Sequence, residues 1–339
     1  MIKLDFYDKK ILYELDLNAR ISDSELAKKT NLSREIVRYR INKLEKEGII
    51  RGYSTIVNTM KLGYLMYRTY FKFSNINLQK EKEIIDYLQS KVNWVTKVEG
   101  NWDLGIMIFV KSVYDYDNFV SEFKRQYGNY ISKSWVATMT KLWHFKRGYL
   151  LDKKDSNDFI LMGLKTNDVI VDLDDIDNKI LSILVDNARM RFLEIAKKLN
   201  LHEKLVRDRI KKLISKDIIL GYTTFLDTKL LDKFYFKINF ILKNHSSQDF
   251  KRLLDFSLYH PNIVYVVEAV GGSDLELEVH VNDNTALYAL INEIKNKFSE
   301  IIVDYNFMEY TKEYKFSYLP NKKIELENKE IKKEKKERK

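Results

Sequence analysis

A chain of 339 residues with 45% hydrophobic content is long enough for two or more compact units and too apolar for wholesale disorder. The lack of cysteine excludes disulfide scaffolds, thiol nucleophiles and cysteine-ligated zinc or iron–sulfur centres. The net charge of +10 invites a polyanionic partner, but residues 321–339 carry nine Lys/Arg against five Glu, so much of the excess sits in a tail that reads as solvated, with auxiliary contact to phosphates as the alternative.

The opening MIKLDFYDKK mixes acids and bases with no long apolar run behind it, which is not a secretory signal. No stretch approaches the roughly 18 apolar residues of a spanning helix, so a soluble, cytoplasmic protein without a membrane partner is expected. Residues 1–56 follow a helix-turn-helix pattern. Leu4, Ile11, Leu12 and Leu15 lie on one helical stripe, and Ser22 precedes Glu25 by three residues, a capping-box signature. After a break at Asn31, Ser33 can cap a third helix, REIVRYRINKLEKE, which Gly48 terminates. IIRGYSTIVN then alternates like a strand and supplies a wing-like extension.

Residues 60–150 change character. The aromatic-rich alternation of 65–73 predicts a half-buried strand and EKEIIDYLQSK an amphipathic helix. Two strands follow around GNW, then a helix over 114–127 and an extended segment over 134–145. That order, β-α-β-β-α-β, is a ferredoxin-like unit. Residues 151–171 form a linker whose all-polar DKKDSND precedes a short apolar FILMGL, expected to dock on a neighbouring domain.

From there the chain repeats itself. Residues 8–55 align with 177–224 at a constant offset of 169 without a gap, about half the positions being identical. ILYELDLNAR faces ILSILVDNAR, and VRYRINKL faces VRDRIKKL; further on, VEGNWDLGIMIFV resembles AVGGSDLELEVHV. A second helix-turn-helix domain is expected over 172–225 and a second ferredoxin-like domain over 230–320, followed by the charged tail 321–339. The fold class is therefore α+β, two copies of a winged helix-turn-helix domain followed by a ferredoxin-like βαββαβ domain.

The segment NARISDSELAKKTNLSREIVRYRINKLEKEGIIRGYSTIVN resembles the DNA-binding domain of the Lrp/AsnC, or feast/famine, transcription regulators. The block around Gly100-Asn-Trp-Asp103 resembles that family's effector-binding and oligomerisation domain. The resemblance spans nearly the whole chain, twice, and implies a fused dimer that binds double-stranded DNA, with association of chains into higher oligomers.

A recognition helix reads bases with its N-terminal half. Val37, Ile41 and Leu44 follow the buried stripe, leaving Arg34, Glu35, Arg38 and Tyr39 nearer the DNA, beside the capping Ser33. Arg38 is the best base reader, since arginine pairs bidentately with guanine; the alternative is a solvated surface arginine. Arg40 and Lys43 read equally as phosphate clamps or intramolecular partners. In the second copy Lys204, Arg207, Arg209 and Lys212 take these places, but His202 replaces the capping serine, Asp217 the terminating glycine and Ile214 Glu45. With Glu203 and Asp208 also on its third helix, the second reader is expected to be weaker or to read a different half-site.

The resemblance places an effector, such as an amino acid, near Gly100, Asn101, Trp102 and Asp103 and near Gly271, Gly272, Ser273 and Asp274; a hairpin turn needing positive φ explains the same residues. His144, His202, His245, His260 and His280 show no metal-ligand spacing, and no nucleotide fingerprint occurs, so neither metal nor cofactor is expected. The run YLMYRTYFKF reads as core plus a sheet-to-sheet interface rather than an RNA-stacking face. A non-enzymatic transcription regulator is the expected function. One alternative is an enzyme like the sirohaem decarboxylases, which resemble this architecture but whose histidine-bearing segment has no counterpart in WVTKVEGNWDLGIMI; another is a metabolite-sensing module with vestigial DNA heads.

Overall fold

The computed structural model describes residues 3–152, 159–243 and 246–320; the charged tail, most of DKKDSND and His245 lie outside them. Capping chemistry sets the limits of the first head's helices. α1 (Phe6–Leu15) opens on Asp5, whose carboxylate accepts from the Asp8 amide. α2 (Asp23–Thr30) opens on Ser22, which accepts from the Glu25 amide, and closes on Asn31 in the left-handed conformation. α3 (Arg34–Lys46) opens on Ser33, and Gly48, at φ +78°, turns the chain into β1 (Ile50–Val57). Ile11, Leu12, Leu15, Val37, Ile41 and Leu44 are buried, as the stripes require, and Leu4 is half-buried.

The first half continues with β2 (Leu65–Phe73), α4 (Leu78–Lys91), β3 (Trp94–Glu99), β4 (Leu104–Val110), α5 (Val113–Tyr127) and β5 (Ile131–Phe145). A strand in the connecting segment, β6 (Phe159–Gly163), leads to the second head: α6 (Asp175–Asp186), α7 (Phe192–Leu199), α8 (Glu203–Ser215) and β7 (Ile219–Leu226). The chain ends in β8 (Phe234–Leu242), α9 (Ser247–Tyr259), β9 (Ile263–Val270), β10 (Leu275–Val281), α10 (Asn284–Lys297) and β11 (Ile302–Phe316). At the second head's departures from the repeat, His202 gives α8 no side-chain cap, while Asp217 takes up the left-handed conformation that Gly48 has in the first.

The segment expected as a wing does something else as well: β1 pairs antiparallel with β7, its counterpart in the other head, in the register Tyr53 to Thr224 and Thr55 to Tyr222. Side chains from each strand close the far head's first helix. Ser54 and Thr55 donate to the carbonyls of Val185 and Leu184 in the last turn of α6, at 2.8 and 2.9 Å, and Thr224 donates to Leu15 of α1 at 2.9 Å. Carbonyls left over at two helix ends are thus satisfied across the head-to-head junction.

The two βαββαβ units merge. Their strands run in the order β2-β4-β3-β11-β8-β10-β9-β5, every pairing is antiparallel, and β5 pairs back onto β2, so eight strands close into a barrel. Closure removes the free edges each half would otherwise expose. FILMGL docks as β6 beside the far end of β5, pairing with Lys141–Phe145. Outward-facing residues such as Phe71, Ile106 and Ile108 pack with Phe119 and Phe123 of α5, and Phe236, Ile238 and Leu277 pack with Leu287 and Ile291 of α10.

Inward-facing residues are unlike the outward ones. Arg68 of β2 donates to Glu278 at 2.8 Å and Glu276 at 3.2 Å on β10, and Lys237 of β8 donates to the same Glu276. The Tyr70 and Tyr310 hydroxyls lie 2.5 Å apart, and Tyr235 donates to Glu278. Arg68, Lys237, Glu276 and Glu278 are all buried, a balanced set of two cations and two anions at the centre of the barrel.

Candidate nucleic-acid interface

The two heads are held together by a reciprocal clamp built from the repeated Asn-Ala-Arg. Arg20 donates to the carbonyls of Ala188 and Met190, and Arg189 donates to the carbonyl of Ala19 at 3.0 Å and to Asp23 at 2.9 Å. Each guanidinium also lies over an aromatic ring, Arg20 over Phe192 at 4.7 Å and Arg189 over Tyr53 at 5.3 Å. This arrangement, with the β1–β7 pairing, gives the heads a pseudo-twofold relation. Sequence reasoning marked Asn18-Ala19-Arg20 only as part of a resemblance. The recurrence of the arginine at both copies was the available signal for a symmetric contact.

On α3 Glu35 and Tyr39 lie opposite the buried Val37, Ile41 and Leu44, Arg34 stands at the helix start and Arg38 at the flank, and all four are exposed, with Tyr39 70% accessible. Arg38 is 3.7 Å from Asp23, the same carboxylate that receives Arg189. The hydroxyl of Ser33 caps the helix by accepting from the Ile36 amide. Lys43 reaches Glu47 at 4.0 Å on the same helix.

Two expected DNA contacts are turned elsewhere. Arg40 bonds to Asp5 and Asp8, both at 2.7 Å, and its repeat counterpart Arg209 bonds to Asp174 and to Asp177 at 3.3 Å. Both guanidiniums staple the third helix to the start of the first; for Arg40 that is the intramolecular alternative, and Arg209, expected as a DNA contact, is turned the same way. In the second head Lys204 and Lys212 are exposed, but Arg207 is engaged by Glu203 at 2.5 Å and lies over Phe192 at 5.1 Å. The counterpart of Arg38 is thus held by a neighbour one turn away, and Asp208 stands exposed beside it.

The two hairpin loops are built alike. Asp103 accepts from the Phe73 amide and from Lys72, and Asp274 accepts from the Leu242 amide. Gly100, Gly271 and Gly272 have positive φ. Each loop abuts the opposite half: Gly100 lies against the β11 backbone at Phe307 and Met308, and Gly272 lies flat on the Trp135 ring. Asn101 is exposed, Trp102 is half-buried under Lys133, and Ser273 is buried toward Asn239. The turn explanation accounts for the glycines and aspartates. Among the described residues no group of His, Asp or Glu is placed to hold a metal ion, and no helix is long and apolar enough to cross a membrane.

Known proteins resemble parts of this chain or its fold. The profile of winged helix-turn-helix DNA-binding domains matches residues 4–51, and that of AsnC-type helix-turn-helix domains matches residues 173–214. An uncharacterized HTH-type transcriptional regulator of Pyrococcus horikoshii is 33% identical over 133 residues, covering 38% of this chain and 88% of the relative. The leucine-responsive regulatory protein of Rhizobium meliloti is 29% identical over 126 residues, covering 36% of this chain and 80% of its own length. Among solved structures, the siroheme decarboxylase NirDL has the same fold over 92% of this chain and 93% of its own, with a TM-score of 0.60 at 15% identity. Each regulator corresponds to about one half of the present chain.

Proposed function

The chain belongs to the Lrp/AsnC family of helix-turn-helix transcription regulators, with the family unit present twice, and from that premise we propose that it is a sequence-specific regulator acting as a dimer folded from one polypeptide. The observation that carries the reading is the Arg20/Arg189 clamp, which fixes two reader helices in one pseudo-symmetric pair while α3 offers Arg34, Arg38 and Tyr39 to a partner. Linking the heads makes the second half-site contact intramolecular, so two modest contacts combine. A regulator of this kind acts in the cytoplasm, on double-stranded DNA. Its operator is an imperfect palindrome, because the first head reads with an accessible arginine and the second presents one engaged by Glu203.

Fluorescence anisotropy on fragments from the protein's own upstream region, on fragments enriched from random DNA, and on shuffled controls tests this. Discriminating, salt-dependent binding supports the reading, and failure to bind any DNA at moderate salt contradicts it. A second reading, an enzyme on the same architecture, draws on the shared fold with NirDL across both halves. An absorbance shift on titration with sirohaem, in a protein that binds no DNA, would favour it.

A further inference from the structure

Beside the central charge cluster the barrel encloses a cavity of about 430 Å³, within the roughly 300–1,000 Å³ of small-molecule sites. Met66, Met107, Met162, Trp94, Phe109 and Phe316 give it adaptable thioether and aromatic walls. Arg68, Tyr235, Glu278, His280 and Tyr310 form its polar side. Four wall residues have a buried polar atom without a hydrogen-bond partner in the protein: Arg68 Nε, Arg147 Nε, His280 Nε2 and Thr311 Oγ1. None of the eight loop residues at Gly100–Asp103 and Gly271–Asp274 takes part; the cavity lies at the other ends of the same strands.

Its boundary is shared with the heads. Arg51 of β1, Phe225 and Leu226 of β7 and the following residues through Lys229 line it, beside Lys312 of β11. The wall residue Arg147 donates from its backbone amide and its guanidinium to Asp16, the C-cap of α1. The charges deep inside are matched within the protein: Arg68 and Lys237 by Glu276 and Glu278, and Arg147 by Asp16. At the solvent-facing rim the three cations Arg51, Lys229 and Lys312 stand against the two carboxylates Asp227 and Glu313, Arg51 approaching Glu313 only to 3.9 Å and Lys312 lying over the Tyr314 ring at 4.8 Å. The rim therefore favours a single negative charge, while the walls favour a flat apolar body.

We propose that this cavity binds an organic monocarboxylate with an aryl-sized apolar body, the carboxylate at the Arg51–Lys312 rim and the ring among the methionines and aromatics. Because Arg51 at the rim belongs to the β1–β7 sheet that joins the heads while Lys312 belongs to the barrel, an anion held between them alters how the two readers are set for DNA; this second step rests on the regulator reading above, and the first does not.

Calorimetric titration of the full chain without DNA separates the two, using indole-3-acetate and 1-naphthylacetate as probes and indole as the uncharged comparison. Saturable binding of one acid per chain is expected, weakened at least tenfold in an Arg51→Ala/Lys312→Ala variant, with indole binding little changed. Met107→Trp, which fills the cavity, should abolish binding; should that variant fail to fold, the rim variant decides. No saturable heat with either acid, or acid binding unchanged by the rim substitutions, overturns the assignment. With the acid bound, DNA affinity measured by anisotropy should change at least threefold. Binding of the acid with DNA affinity unchanged overturns the coupling alone, and binding of the acid by a chain that binds no DNA overturns the regulator reading rather than the site.

Discussion

Arg38 and Arg40 stand two residues apart on α3 and are held differently. Arg38 is exposed, with a loose partner in Asp23, whereas Arg40 is held by two short charge-assisted bonds to Asp5 and Asp8. Arg38→Ala should weaken operator binding about 5- to 150-fold, the worth of a bidentate guanine contact of about 1–3 kcal/mol, and leave the melting temperature unchanged. Arg40→Ala should do the reverse, lowering stability by about 1–3 kcal/mol as Asp8 loses its partner inside the head, while low-temperature DNA affinity holds. Parallel anisotropy and thermal melts check the pair; a large affinity loss from Arg40→Ala in a fully stable protein would contradict the assignment. The buried histidines give a pH dependence of definite sign. Burial, then the charge of Arg147 and His280, holds His144 well below the ordinary imidazole value, and burial with Arg147 and Lys233 does the same to His280. Below about pH 6.5 the unfolded chain binds protons that the folded one refuses, so these residues' contribution falls with pH by up to about 1.4 kcal/mol per unit for each. Melting temperatures measured from pH 7.5 to 5 should drop, and His144→Phe should flatten the decline; an identical slope in that variant would exclude the mechanism.

The helices of the first head are readable in the sequence because their determinants are local: serine or aspartate caps, a left-handed residue after α2 and α3, and apolar stripes three and four residues apart. Those of the second head are readable through the repeat, since α7 and α8 open on Arg191 and His202 without a side-chain cap. The pairing of β1 with β7 is not, since the partner strand lies about 169 residues away and a wing-like strand satisfies the same alternation. The interior of the barrel also leaves a signal in the sequence. LELEVHV alternates apolar residues with Glu276, Glu278 and His280, and FYFKINF does so with Tyr235, Lys237 and Asn239; a strand whose second face is polar yet buried lines a charged interior. Arg40 and Arg209 were ambiguous for a related reason, because the carboxylates that claim them lie more than 30 residues earlier. The clamp is the element-level feature most open to test. Arg20→Ala removes two carbonyl contacts across the heads while touching none of the exposed α3 face, so the heads should lose their fixed separation. Binding to operators whose half-sites are moved apart by one or two base pairs should become less discriminating, with overall affinity down several-fold. Unchanged spacing preference would mean that the β1–β7 sheet alone sets the geometry.

At the scale of the whole molecule, duplication has been followed by specialisation inside the barrel. Arg68 and Lys237 occupy equivalent positions, but the acids they share come from β10 alone, where β4 of the first half has Gly105, Met107 and Phe109. Two first halves would bury two arginines without a partner, and two second halves would bury four glutamates against two lysines, each an uncompensated set costing several kcal/mol. Expressed as separate polypeptides, the halves should therefore assemble one-to-one and not with themselves, which native mass spectrometry of differently tagged halves would resolve; stable homodimers of either half would contradict the charge argument. The same asymmetry reaches the heads, where Arg38 is available and Arg207 is engaged by Glu203. The central claim, that one chain is a complete two-headed reader with unequal heads, is tested most directly by selecting binding sites from random DNA and measuring the stoichiometry and footprint on the winner. One chain per site is expected, protecting two different half-sites about one helical turn apart. Two chains per minimal site, a perfect palindrome, or no enriched sequence would contradict it.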